Sequence, residues 1–411
     1  MNRAARIGIV VVSVVIFCYA GLGHVLGRAT DDKAYKSLTV YGEVLQKIQQ
    51  DYVDDPNMHT VTAGSLHGLL ESLDPQSSYL TPREYDEYKK KLRNSGTGET
   101  GLTLSKRYGY VIVLSVLPDS PGTKAGVRSG DIFESIGGFT TRDMSVGQAL
   151  NLLSGQPGTG VKVAVIRRGK ATPDEVDIVR EKLATPKIIV QKADPDILVL
   201  RLPSLDVGRA DEIRNRLLDA EKQGVRKVIV DVRECGRGPV SEAISLARLF
   251  VPSGSITTLR GQTVSSQVFS AEAKQVVWKN SVSVLIDATT SGAAEVFASA
   301  IVANHRGDVV GERTFGLASE QKLITMDDGA ALILTVANYY NPGGKSILEE
   351  GITPTEIVRA VPEDSDSGDD DAAPAPETQK EPGLGPRPLS PEDPSFHRAL
   401  DLLKVPAKKA A

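Results

Sequence analysis

The chain has 411 residues, with 48 basic and 52 acidic side chains and a formal charge of −4. That near-neutral balance excludes a nucleic-acid partner, which needs a basic face, and the length allows two or three domains with cores of their own. Two cysteines, Cys18 and Cys235, provide no disulfide framework; no metal-ligand cluster is visible, and no cofactor is expected. The chain opens with Arg3 and Arg6 ahead of an apolar run at residues 7–27, IGIVVVSVVIFCYAGLGHVLG. As a helix rising about 1.5 Å per residue, this run spans roughly 31 Å, close to a bilayer's hydrocarbon core of about 30 Å. Positive charge before such a run directs the downstream chain across the membrane. Residues 1–30 therefore read as an uncleaved signal anchor, or alternatively as a cleaved signal peptide. The anchor reading implies a single pass through the inner (cytoplasmic) membrane, with the body in the periplasm or extracytoplasmic space.

Residues 32–95 are helical by pattern, with Leu38, Tyr41, Val44, Leu45 and Ile48, then Leu66, Leu69 and Leu70, at three- and four-residue spacing. This stretch holds the phrase SLDPQSSYLTPREY at residues 72–85. From residue 96 to 181, short runs alternate apolar and polar residues around SPGTKAGVRSGDIFESIGG. The segment resembles a PDZ domain, mostly β with two helices. Such domains add an extended peptide C-terminus as a strand and hold its carboxylate on the backbone amides of a Gly-containing loop. The matching loop is Thr100, Gly101 and Leu102, with a strand from Leu102 to Leu104 and a groove helix beginning near Ser145. Glu99 stands where the loop's first glycine is expected and puts a negative charge near the carboxylate position.

Residues 182–360 read as an αβ core. Strands are expected at 197–200, 227–232 and 283–286, with helices near 211–223 and 240–250 and right-handed crossovers between the strands. The strand Val284, Leu285, Ile286 ends in a turn, Thr289, Thr290, Ser291 and Gly292, that passes directly into a helix from about Ala293. Such a strand-turn-helix corner can expose a nucleophile at a helix N-terminus, where negative charge is favoured.

Glu295 in this corner, Thr314-Phe-Gly with Gln321, and the phrases at 72–85, 332–346 and 351–355 together resemble the C-terminal processing peptidases, or tail-specific proteases, which use a serine-lysine dyad. The resemblance covers residues 35–358. It puts the nucleophile three residues before Glu295, at Gly292, and the lysine at Leu317, 25 positions later as the family spacing requires. Neither residue can do the chemistry: glycine carries no nucleophile, and leucine binds no proton. Deleting one member of such a unit costs roughly 10^6 in turnover. The oxyanion turn maps to Gly236, Arg237 and Gly238, with Arg237 in place of a glycine whose backbone freedom the turn is expected to use.

The resemblance implies that Gly292 and Leu317 meet near this turn, with Gln321 pointing into the same place. The chain offers few substitutes for the dyad. Ser291 with Lys322 needs two compensating shifts of side-chain direction. Cys235 lacks a neighbouring histidine, and His305 falls in a solvated turn.

Beyond 361 the chain is acidic and Pro-rich to 394, a composition unable to bury a core. Helical spacing returns at 395–405, in a helix that docks on the body or on a neighbouring subunit. The expectation is an α/β and α+β multidomain protein, an exported scaffold that binds protein or peptide C-termini. Its other expected partners are an active relative, itself as a homo-oligomer, and the inner membrane through residues 7–27. The alternative is a peptidase that cuts through Ser291.

Overall fold

The computed structural model describes residues 36–93, 96–107, 109–142, 144–167, 172–359 and 393–404. They fall into two compact units, one ending at Leu66 and the other beginning at His67. The first holds helix α1 (36–51) and most of α2 (Met58–Glu71), with the Tyr41 hydroxyl and Ser65 Oγ 2.5 Å apart. The localisation expected from the sequence is corrected here: among the described residues no helix is long and apolar enough to cross a membrane. Among the described residues the longest helix, α1 at 36–51, reaches only about 24 Å at 1.5 Å per residue, and the run at 7–27 lies outside the described residues.

In the second unit, the stretch that is helical by pattern also contains a strand, β1 (Ser78–Leu80), ahead of α3 (Pro82–Arg93). Asp74 turns the chain into β1 by accepting from the Gln76 and Ser77 amides, both at 2.8 Å. A Thr81–Glu84 exchange then caps α3.

The next module is β2 (Leu102–Arg107), β3 (Tyr110–Val116), α4 (Pro121–Lys124), β4 (Ile132–Ile136), β5 (Phe139–Thr140), α5 (Val146–Leu153), β6 (Gly160–Ile166) and β7 (Asp174–Val179). Its strands run in the order β2-β3-β4-β6-β7, so β2 is an edge strand. Inward residues of the strands and of α5, among them Val111, Val113, Phe133, Ala149, Val163 and Ile178, form its core. Ser145 opens α5 in a capping box with Gln148.

The core domain follows with β8 (Ile189–Asp194), β9 (Ile197–Arg201), α6 (Arg209–Lys222), β10 (Lys227–Asp231), α7 (Val240–Arg248), β11 (Ser255–Arg260), β12 (Gln267–Ser270), β13 (Ser281–Ile286), α8 (Ala293–Ala303), β14 (Asp308–Gly311), β15 (Ser319–Thr325), β16 (Ala331–Tyr340) and β17 (Glu356–Ile357), and α9 (Pro394–Lys404) comes last. One sheet has the order β17-β14-β13-β10-β9-β8, parallel except for β8. A second sheet runs β1-β16-β11-β12, with β15 also on β16.

The parallel strands add in one direction along the sheet, so crossovers of one hand put α6, α7 and α8 on the same face. Leu198, Leu200, Val228, Val230, Val282 and Val284 meet those helices. The alternate residues Ile197, Val199, Ile229, Leu285 and Val310 would be bare without α9, whose Phe396, Ala399 and Leu403 cover them. The helix therefore docks on its own chain.

Candidate active site

The site lies beyond the carboxyl ends of β10 and β13, the side of an open αβ sheet where ligands are bound. After β13, Asp287 accepts from the Thr289 and Thr290 amides at 3.0 and 2.7 Å and from the Glu234 amide on the neighbouring turn. Thr290 Oγ1 donates to Val232 O, and the Ser291 amide donates to Cys235 O at 3.1 Å. The Asp287 carboxylate, Thr290 and a backbone bond thus stitch the two turns together.

Gly292 follows, with φ 61° and ψ −119°, as the residue that caps α8. This is the sharp, strained strand-to-helix turn on which a nucleophile elbow is built. A Cβ placed on Gly292 would meet nothing within 4 Å.

Glu295, fully buried one turn into α8, holds the corner together. Its Oε2 accepts from the amides of Gly292 and Leu317, each at 2.8 Å, and its Oε1 from Thr314 Oγ1 and the Gly316 amide, each at 2.6 Å. The structure thus brings Gly292 and Leu317 onto one carboxylate oxygen. Burial pushes the Glu295 pKa up to about 7, and the four hydrogen bonds oppose that rise. The Thr-Phe-Gly phrase has a physical meaning: Thr314 supplies a hydroxyl, and Gly316, at φ 95°, turns the chain so that two successive amides face the same carboxylate. Sequence reasoning used Glu295 only as a landmark. A glutamate at the third position of a helix capped by glycine is the signal that pointed to this clamp.

Ser291 is 1% exposed, and its Oγ is buried without a hydrogen-bond partner. It faces the turn at Gly236 to Gly238: a Cβ on Gly236 would lie 2.7 Å from Ser291 Oγ and 3.0 Å from Ser115 Oγ of β3. The expected strain at Arg237 is corrected, because Arg237 is not among the positive-φ residues; the left-handed position is Gly238, at φ 127°. A Cβ on Gly238 would sit 2.1 Å from Leu205 O.

Gln321 also departs from expectation. It is exposed on β15 and donates to Ser319 Oγ at 2.8 Å, because the β15/β16 register slips between Glu320 and Gln321 and such a bulge re-aims the side chains beyond it. Lys322 is exposed beside it, and His305 is an exposed turn residue at φ 49°. Cys235 is a free, fully buried thiol with its pKa pushed up to about 12 by burial, so it stays protonated at neutral pH.

In the loop read as carboxylate-binding, Thr100 is buried and its carbonyl accepts from the Gly122 amide at 2.8 Å. Gly101 has φ 78°, and a Cβ there would lie 2.3 Å from Ser120 Cβ. Leu102 starts the edge strand β2. At the far end of β2, the Arg107 guanidinium lies 5.7 Å from the Phe315 ring centroid.

An αβ core of peptidase type joined to a PDZ domain is the class these features define. Residues 196–358 match the model of Peptidase family S41, and residues 112–167 match that of a PDZ domain. The chain is 28% identical over 336 residues to the carboxy-terminal-processing protease of Bartonella bacilliformis, covering 80% of this chain and 76% of that one. It is 27% identical to the carboxy-terminal processing protease CtpA of Bacillus subtilis, covering 84% and 74%. Its fold is similar to that of a photosystem II D1 C-terminal processing protease, with TM-score 0.65 and 22% identity over 78% of this chain and 92% of that one. The chain is a homologue of the C-terminal processing proteases, with an S41 peptidase core and a PDZ domain.

Proposed function

We propose that this chain is a non-cutting member of its family, a scaffold that holds protein or peptide C-termini or regulates an active relative. The observation that carries this reading is the corner itself. An elbow backbone and its Glu295 clamp are intact, yet a glycine with empty space where Cβ would stand occupies the elbow, and leucine occupies the position beside it. A nucleophile needs a base within hydrogen-bond reach. Ser291, the neighbouring hydroxyl, is buried against Gly236 with no partner. The test is to incubate the purified full chain with unfolded casein. No fragments are expected, and cleavage that disappears in Ser291→Ala would overturn the reading in favour of a rearranged peptidase.

A further inference from the structure

Two positions that depart from the glycines of their motifs, one in each domain, face each other. Arg237 Nη1 donates to Glu99 Oε2 at 3.2 Å, and Arg237 Nε donates to Asp206 Oδ1 at 3.1 Å. Both ends are pinned by backbone: Glu99 exchanges two bonds with Glu181 at 2.8 and 3.1 Å, and Arg237 O accepts from the Leu205 amide at 2.8 Å. The side chains remain open to water, Arg237 at 37% and Glu99 at 51%. An exposed pair of this kind contributes little to stability, so an incoming carboxylate can displace Glu99 at little cost, whereas the guanidinium keeps its place through Asp206. The locus directly precedes Leu102, where the edge strand β2 begins. A peptide added antiparallel to β2 ends at that point.

We propose that Arg237, contributed by the peptidase-type core, receives the free α-carboxylate of a peptide laid along β2, and that Glu99 fills this place until the peptide displaces it. The specificity-determining charge for a peptide C-terminus thus comes from outside the PDZ domain, at a turn position where the family resemblance expects glycine. This inference rests on the peptide-binding function proposed for the chain.

The experiment uses the full chain and a fluorescein-labelled, alanine-rich peptide ending in valine, with its C-terminus either free or amidated, read by fluorescence anisotropy. Wild type is expected to favour the free acid. Arg237→Gln should weaken the free acid by about tenfold, as expected for loss of a charge-assisted hydrogen bond, and bring the two forms to equal affinity. Glu99→Gln should strengthen the free acid only, and the double variant should lose that gain. Equal weakening of both forms by Arg237→Gln, an unchanged acid-to-amide ratio, or a wild-type preference for the amide overturns the proposal while peptide binding itself stands. No binding of either form to wild type or to Glu99→Gln, with circular dichroism showing both folded, overturns the proposal and the binding reading together.

Discussion

Glu295 shows how one residue ties stability to pH. Its folded pKa of about 7 lies above the ordinary 4.5, so the folded state holds a proton that the unfolded state has released between those values. Stability from this group is fully present below about 4.5 and is lost as pH rises through about 7, a change on the order of 3 kcal/mol. Glu295→Gln should remove that slope, visible as the change in melting temperature between pH 5 and pH 8 relative to wild type. It should also cost about 3 kcal/mol at pH 8, because one amide orientation turns the NH2 toward the Gly292 and Leu317 amides and the other toward the Gly316 amide, so either leaves an N–H donor facing a donor.

The glycines of the site divide in the same local way. Gly238→Ala drives Cβ to 2.1 Å from Leu205 O and should destabilise by about 3 kcal/mol or more, measured by urea unfolding. In Gly292→Ser the new Cβ meets nothing within 4 Å, and the substitution should cost mainly the backbone strain, about 1–3 kcal/mol. Combined with Leu317→Lys, it should raise cleavage of unfolded casein above the wild-type background by on the order of 10^2.

Among the elements, α9 decides whether the parallel sheet is buried on both faces. Strands that read Val-Ile-Val and Val-Leu-Ile without alternation signal two covered faces, but only one is supplied by the crossovers. Phe396→Ala should therefore lower stability by about 3 kcal/mol, read from the urea midpoint. Arg233 bridges Asp231 at the end of β10 to Asp393 at the start of α9 at 2.8 and 2.5 Å, fixing where the helix begins. This docking was only half legible in the chain, because the helical spacing at 395–405 marks an apolar face without naming the surface it meets.

At the scale of the whole molecule, β2 and β3 lie against the catalytic-type corner: Thr103 and Ser115 close on Gly236, and Arg107 reaches Phe315. Gly236→Ala must push aside Ser291 Oγ and Ser115 Oγ together and should cost about 1–3 kcal/mol. Ser291→Gly should recover part of that loss in a double-mutant cycle on thermal stability, since it removes the nearer of the two oxygens.

The sequence by itself determined the αβ alternation of the core and the strand-turn-helix corner, because these depend on hydrophobic period and turn chemistry, which are local along the chain; the PDZ and peptidase modules and the pairing of Gly292 with Leu317 came from motifs that resemble known families. The tertiary structure alone decided that Glu295 holds both ends of the corner, that Gln321 turns away from it, that Gly238 and not Arg237 bears the left-handed backbone, and that Arg237 meets Glu99. Each of these depends on where residues far apart in the chain come into contact, or on the direction a bulge or turn gives a side chain, and residue order does not encode either one locally.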